Sequence, residues 1–360
     1  MQLAPGQLPQ HLQRGLKSLY TLHGDEPLLI QEAADAIRAT ARTQGYTERT
    51  SHTVAGAHFD WSEVLAAGGS LSLFADKQIV ELRIPSGKPG KEGSVAIQQL
   101  AVQAQGNDST LTIVMLPRLD KMTRTGGWFT ALEANGMTIQ VDPVERNALP
   151  QWIAQRLAAQ GQRVAPGEDG QRTLQFFADR VEGNLLAAHQ EIQKLGLLFP
   201  GDGVLSFEQV ESAVLNVARY DVFKLSEAVL AGQTVRVQRM LDGLRAEGEA
   251  EVLVHYTLSE DIRALKRVKD AMGQGRPLPM ALRVQRVWGV KERLFERVLP
   301  RLTDTALANL LHAAHQVDGI VKGLKQPDWP ANPWQALHRL AMQLCQACMV
   351  TQAATGRASR

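Results

Sequence analysis

A chain of 360 residues exceeds one ordinary hydrophobic core and divides into two or three domains. Hydrophobic residues at 44% and charged residues at 21% are those of a globular protein, and a formal net charge of +2 excludes a uniformly basic surface, so any nucleic-acid contact must be a local patch. Two cysteines exclude a disulfide framework and fit a reducing cytoplasm.

The start, Met1 to Gly6, lacks the basic residues and apolar run of a signal peptide. No apolar stretch approaches the roughly 20 residues needed to cross a bilayer. The pattern then alternates. Gln7 to Gly15 predicts a short helix, Ser18 to His23 a buried strand, and Leu28 to Arg42 an amphipathic helix with Leu29, Ile30, Ala33, Ile37 and Ala41 on one face and Glu32 and Asp35 on another. Thr50 to Val54 predicts a strand and Asp60 to Ala67 a helix that ends at Gly68-Gly69. Strand Gln78 to Ile84, a solvated loop at 85–93, helix Val95 to Gln103, strand Thr110 to Leu116, helix Gly127 to Ala134 with Trp128 and Phe129 packed on the sheet, and strand Met137 to Val141 complete the unit. Such alternation implies a largely parallel sheet covered on both faces.

Between the Gly68-Gly69 pair and the strand at Gln78 lies Ser70-Leu71-Ser72-Leu73-Phe74-Ala75-Asp76-Lys77. Leu73 and Phe74 admit two readings, ordinary core residues or an exposed apolar wedge that fills a partner's pocket. Pattern alone favours burial.

Strand, turn and helix at Leu19 to Arg42 is where a P-loop would lie. A P-loop needs Gly-x-x-x-x-Gly-Lys followed by Ser or Thr, so that backbone N–H groups and the lysine hold phosphates. His23-Gly24-Asp25-Glu26-Pro27-Leu28 offers carboxylates and a proline instead, which suit a helix N-terminus but repel phosphate. The strand ending at Leu116 runs into Pro117 and Arg118 where a magnesium-holding acid would stand, and Asp120 arrives late. The domain has the layout of a nucleotide-binding module without the residues for its chemistry, and no cofactor or metal is expected.

From Val144 the strand signal disappears. Leu149 to Gln160, Gly170 to Val181, Asn184 to Leu195 and Ser206 to Val217 predict four short helices, with Ser206 and Gln209 forming a capping box. Val222 to Ala231, Thr234 to Ala246, Ala250 to Met272, Met280 to Val298, Thr303 to Leu324 and Trp334 to Thr351 predict six more. The boundaries so defined are 1–142, 143–218 and 219–351, with a frayed tail at 352–360. Arg263, Lys266, Arg267 and Lys269 cluster on one helix with acids interleaved, which reads as a solvated face, with a weak phosphate-contacting patch as the minority reading. Cys345-Gln346-Ala347-Cys348 lies in an apolar helix without a second ligand pair and reads as core. His312 and His315 share a face with no third ligand and read as surface or interface residues.

Leu19 to Leu29, Ser72-Leu73-Phe74-Ala75, Trp128 to Leu132 and Glu182-Gly183-Asn184-Leu185-Leu186-Ala187, in this order and at this chain length, resemble the delta-subunit family of the bacterial DNA polymerase III clamp loader. The resemblance spans nearly the whole chain. It implies an AAA+-like α/β domain, a small helical lid and an all-α collar that assembles the loader. It also implies a non-catalytic subunit that binds the beta sliding clamp and opens the ring, working with gamma/tau-type ATPases and a delta-prime type subunit on primer-template DNA. The family's clamp-binding motif falls on Leu73 and Phe74, flanked by Leu71 and Ser72, and so favours exposed anchors there, with Leu71 at least partly in the core. Two other readings stay open: a diverged ATP-binding AAA+ enzyme, and a helical DNA-binding adaptor.

Overall fold

The computed structural model describes residues 1–56, 58–69, 77–201, 203–214, 218 and 220–349. It contains two compact units, residues 1–178 with 185–215, and residues 179–184 with 216–360.

In the first unit the elements run β1 (Gln2–Leu3), a 3-10 turn (Pro5–Gln7), α1 (Leu8–Arg14), β2 (Leu19–Gly24), α2 (Pro27–Thr43), β3 (Glu48–Thr53), α3 (Trp61–Gly69), β4 (Gln78–Arg83), α4 (Gly90–Gln103), β5 (Thr110–Pro117), α5 (Lys121–Arg124), α6 (Gly127–Asn135) and β6 (Met137–Val141). Every pairing in the sheet is parallel, in the order β1-β6-β2-β5-β4-β3. β2 and β5 are buried along nearly their whole length, as continuous apolar and β-branched runs require in a sheet covered on both faces. One face packs Leu19, Leu82, Ile84, Val114 and Leu116 against α3, α4 and α6 through Trp61, Ile97, Trp128 and Phe129. The other packs Tyr20, Leu22, Ile113 and Ile139 against α1 and α2 through Leu12, Ala34 and Ile37.

Glu81 is the exception inside this apolar frame. It sits in mid-β4, fully buried, and accepts from Arg38 Nε of α2 at 2.6 Å and from Arg49 of β3 at 2.8 Å. Asp35 takes a further Arg38 N–H. Burial alone would push the Glu81 carboxyl up, but the hydrogen bonds from Arg38 and Arg49 outweigh it and hold the carboxyl below the usual glutamate value. The network ties a polar, mostly exposed edge strand to the buried β4 beside it.

The chain continues with α7 (Leu149–Ala159), β7 (Arg163–Val164), α8 (Glu168–Val181), whose residues 179–181 are counted with the second unit, α9 (Leu185–Leu198), β8 (Val204–Leu205) and α10 (Phe207–Ala213). The two residues each of β7 and β8 form a parallel bridge where the sequence predicts no strand, because two residues carry no legible period. Buried Gln162 donates to the carbonyls of Leu195 and Phe199 and so satisfies the end of α9. The capping box of Ser206 and Gln209 forms as expected, but α10 stops at Ala213 with Val214 extended, short of the expected helix to Val217, whose last three residues lie outside the described ones.

The second unit holds α11 (Val222–Leu230), α12 (Thr234–Ala246), α13 (Glu251–Gly273), α14 (Leu278–Val284), α15 (Val290–Val298), α16 (Asp304–Val321) and α17 (Pro333–Cys348). The expected single helix from Met280 to Val298 is two helices. Gly289 at φ 66° and Arg286 at φ 54° take left-handed backbone, which interrupts the helical turn. The expected loop at 85–93 is also shorter, since α4 begins at Gly90. Gly93 belongs to the core because a Cβ there would lie 2.3 Å from the Trp61 ring, and its absence lets α3 and α4 meet.

α13 is the axis of the second unit. Val254, Leu258, Ile262 and Leu265 enter the core, and its buried Asp261 accepts from Lys291 of α15 and from Ser226 of α11. His255 Nε2 lies 2.9 Å from both Ala314 O and Ser259 Oγ, joining α13 to α16. No helix among the described residues is long and apolar enough to cross a membrane.

Glu81→Gln removes the charge that neutralises buried Arg38 and is expected to cost about 3–5 kcal/mol in urea unfolding. The wild-type carboxyl titrates lower folded than unfolded, so its contribution is present above the unfolded pKa and is lost as pH falls through the folded one. The variant's stability therefore falls less steeply between pH 5 and 3, and a parallel slope in both proteins counts against the network.

Candidate functional site

Two places attract function in the first unit, the carboxyl end of the sheet and the segment between α3 and β4. At the first, β2 lies between β5 and β6, and α2 leaves its carboxyl end through Gly24-Asp25-Glu26. Crevices at such a point commonly take ligands in α/β folds. Here the parts for holding a nucleotide are replaced. A Cβ on Gly24 would lie 1.7 Å from Val141 O, so this glycine serves the close approach of β2 and β6 rather than a phosphate. Pro27 occupies the first turn of α2, and burial raises the Glu26 carboxyl above the usual glutamate value. Arg118, at the end of β5, pairs with Asp25 at 3.4 Å across the strand ends. Asp120, the late acid, caps α5 by accepting from Thr123 N at 2.7 Å. Among the described residues no group of three or more His, Cys, Asp or Glu side chains could hold a metal ion.

His23 lies on the same strand end, 2% exposed, edge-on to the Phe129 ring at 5.4 Å. Burial, reinforced by the charge of Arg124, lowers its pKa to about 4, so it is neutral at physiological pH.

At the second place, Leu71, Ser72, Leu73 and Phe74 lie outside the described residues. The flanks are anchored. Gln78 Nε2 donates to Ala67 O at 2.7 Å, which joins the end of α3 to the start of β4. Lys77 donates to Gln44 O at 3.2 Å and lies 5.2 Å from the centre of the Tyr46 ring, and Thr47 N donates to Lys77 O. The end of α3 and the start of β4 are therefore adjacent and hydrogen-bonded to each other.

The basic residues of α13 all have partners within the chain. Arg263 and Arg267 both donate to Glu260, Lys266 donates to Asp270, and Lys269 donates to Leu299 O at 3.1 Å. They share one helix, but three of them form ion pairs and Lys269 is held by a backbone carbonyl, so they are not an unopposed cationic stripe. Cys345 and Cys348 are buried in the second unit's core. Burial pushes their thiols up to about 11 and about 12, leaving both protonated at neutral pH. His312 and His315 are exposed on α16. The residues that pattern reading did not single out are Glu81, Arg38 and Arg49. The one signal among them is Glu81, a charge placed inside the apolar strand β4.

Two family models match the chain. One is described as DNA polymerase III, delta subunit, over residues 20–142, and the other as processivity clamp loader gamma complex DNA pol III C-term, over residues 222–351. The DNA polymerase III subunit delta of Escherichia coli is 30% identical over 345 residues, covering 96% of each chain. That of Haemophilus influenzae is 27% identical over 355 residues, covering 95% of this chain and 98% of its own. In fold, the chain is similar to a Bacillus subtilis DNA clamp loader delta protein, with a TM-score of 0.50 and 15% identity, over 95% of this chain and 99% of that one.

Neutral, buried His23 predicts an acid-sensitive step. Its folded pKa lies below the unfolded value of 6.5, so stability is full above pH 6.5 and is lost as pH falls towards 4. His23→Gln is expected to remove about 2–3 kcal/mol of that loss over this window in pH-dependent urea unfolding. An identical pH slope in wild type and variant rules the assignment out.

Proposed function

The chain belongs to the DNA polymerase III delta-subunit family, and from that premise we propose that it binds the beta sliding clamp and opens the ring for loading on primed DNA. The observation that carries the reading is the match over 96% of both chains to a delta subunit; the stretch Ser72-Leu73-Phe74-Ala75, which resembles the family's clamp-binding motif, supplies the proposed contact. Leu73 and Phe74 are the proposed anchors in an apolar clamp pocket, with Leu71 and Ser72 beside them. Two such side chains buried on binding contribute about 1.5–3 kcal/mol each.

Ring opening needs more than an anchor. The subunit must fit the distorted clamp better than the closed one, because a ligand shifts a conformational equilibrium only by its differential affinity. In this reading 1–142 carries the clamp-binding element, 143–218 is a helical lid and 219–351 a collar that joins gamma/tau-type ATPases and a delta-prime type subunit in the cytoplasm. In this reading the chain supplies no active site and works without a cofactor of its own. The Arg118–Asp25 pair and Pro27 at the strand–helix turn support this over an ATP-binding enzyme, because they stand where phosphate contacts would be needed. The paired state of Arg263, Lys266, Arg267 and Lys269 leaves them, at most, accessory contacts to primer-template DNA within the loader.

Leu73→Ala with Phe74→Ala is expected to weaken clamp binding at least about 100-fold in a titration, with the thermal unfolding midpoint retained. Unchanged affinity in the folded variant removes the site assignment. Titration of the wild-type chain with magnesium ATP is expected to show no binding at millimolar concentrations, and tight binding would favour the enzyme reading. Steeply salt-dependent DNA binding by the chain alone would favour the adaptor.

A further inference from the structure

We propose that Glu32 and Arg156 form a permanent latch that joins α2 to α7, so that no ligand is required to hold them together. The inference rests on the fold of the first unit and does not depend on clamp binding.

Arg156 of α7 donates Nη1 to Glu32 Oε1 and Nη2 to Glu32 Oε2, both at 2.6 Å. This is the bidentate fork that guanidinium and carboxylate form at their strongest, and it fixes orientation as well as distance. The Arg156 guanidinium lies 4.7 Å from the centre of the Trp152 ring one turn earlier, so the arginine is oriented before it reaches its partner. The two side chains are 28% and 32% exposed, which screens the pair only in part. Both residues are in the first unit, where α9 also packs against α2 and α7.

The place of the pair gives it its role. α2 is the helix that follows the strand–turn of a nucleotide-binding layout, and a nucleotide bound at that turn would link the helix to whatever covers it. In this chain the turn is occupied by Asp25, Glu26 and Pro27 and is bridged to Arg118. Glu32 stands on the second turn of the same helix and links it directly to α7, beside the packing of α9 on α2. The link is a side-chain pair and persists whether or not nucleotide is present.

The test is amide hydrogen exchange on the full chain with Glu32→Gln, Arg156→Gln and the double variant. Each single change is expected to speed exchange in Leu149–Ala159 about 5- to 30-fold while Leu19–Gly24 and Thr110–Pro117 keep their protection. The double variant is expected to match the worse single one, because removing either partner removes the same interaction. Magnesium ATP is expected to leave wild-type exchange in Leu149–Ala159 unchanged. The proposal is overturned by unchanged exchange there in either single variant, by equal loosening of the strands, by additive effects in the double variant, or by protection of Leu149–Ala159 on adding ATP.

Discussion

The architecture of the first unit depends on one buried carboxylate. Glu81 stands in β4 with its charge out of reach of water, and its cost is met only because Arg38 arrives from α2 and Arg49 from β3. These are three elements that hydrophobic burial alone would not align. β3 is polar and lies at the sheet edge, and α2 could slide along an apolar face without a directional contact. A carboxylate with two guanidinium partners removes that freedom. It thereby fixes β4, the strand that begins next to the segment carrying Leu71 to Phe74, and β3, which is joined to the same corner through Thr47 and Lys77.

The carboxyl end of the sheet and the region after α2 use the same chemistry at lower burial. The layout is that of a nucleotide-binding module, and its polar positions serve other contacts. Asp25 binds Arg118, Asp120 caps a short helix, and Gly24 accommodates a neighbouring backbone. Each residue that resembles a remnant of phosphate chemistry has a structural role. The layout persists because strand, helix and covering layer still bury a core, which requires no ligand. Fold and chemistry are separable in this way throughout α/β proteins.

Legibility in the sequence followed the length scale of each signal. β2, β5 and β6 could be read from continuous apolar and β-branched residues, and the capping box at Ser206 from two residues three apart. β1, β7 and β8 could not, being two residues long and defined only by their partners across the chain. The break between α14 and α15 was hidden because apolar residues keep helical spacing through Gln285 to Gly289, although Gly289 was there to be weighed. Gly93 looked like loop because only the Trp61 ring explains it. At the candidate site, the absence of phosphate-binding residues was local and readable. The pairs Arg38–Glu81 and Arg118–Asp25 were not, since charges far apart in sequence carry no mark of whom they meet. The role proposed for Leu73 and Phe74 rests on the family resemblance, because periodicity assigns exposed anchors and core residues the same letters.

The burial of Cys345 and Cys348 in α17 has a practical side. Maleimide and iodoacetamide reagents attack thiolates, and thiols raised to about 11 and about 12 inside a packed helix supply almost none at neutral pH. The folded chain is thus, in effect, a cysteine-free background. A single cysteine introduced on its surface would be the preferred point of attachment for a dye or spin label, with the helical core left intact.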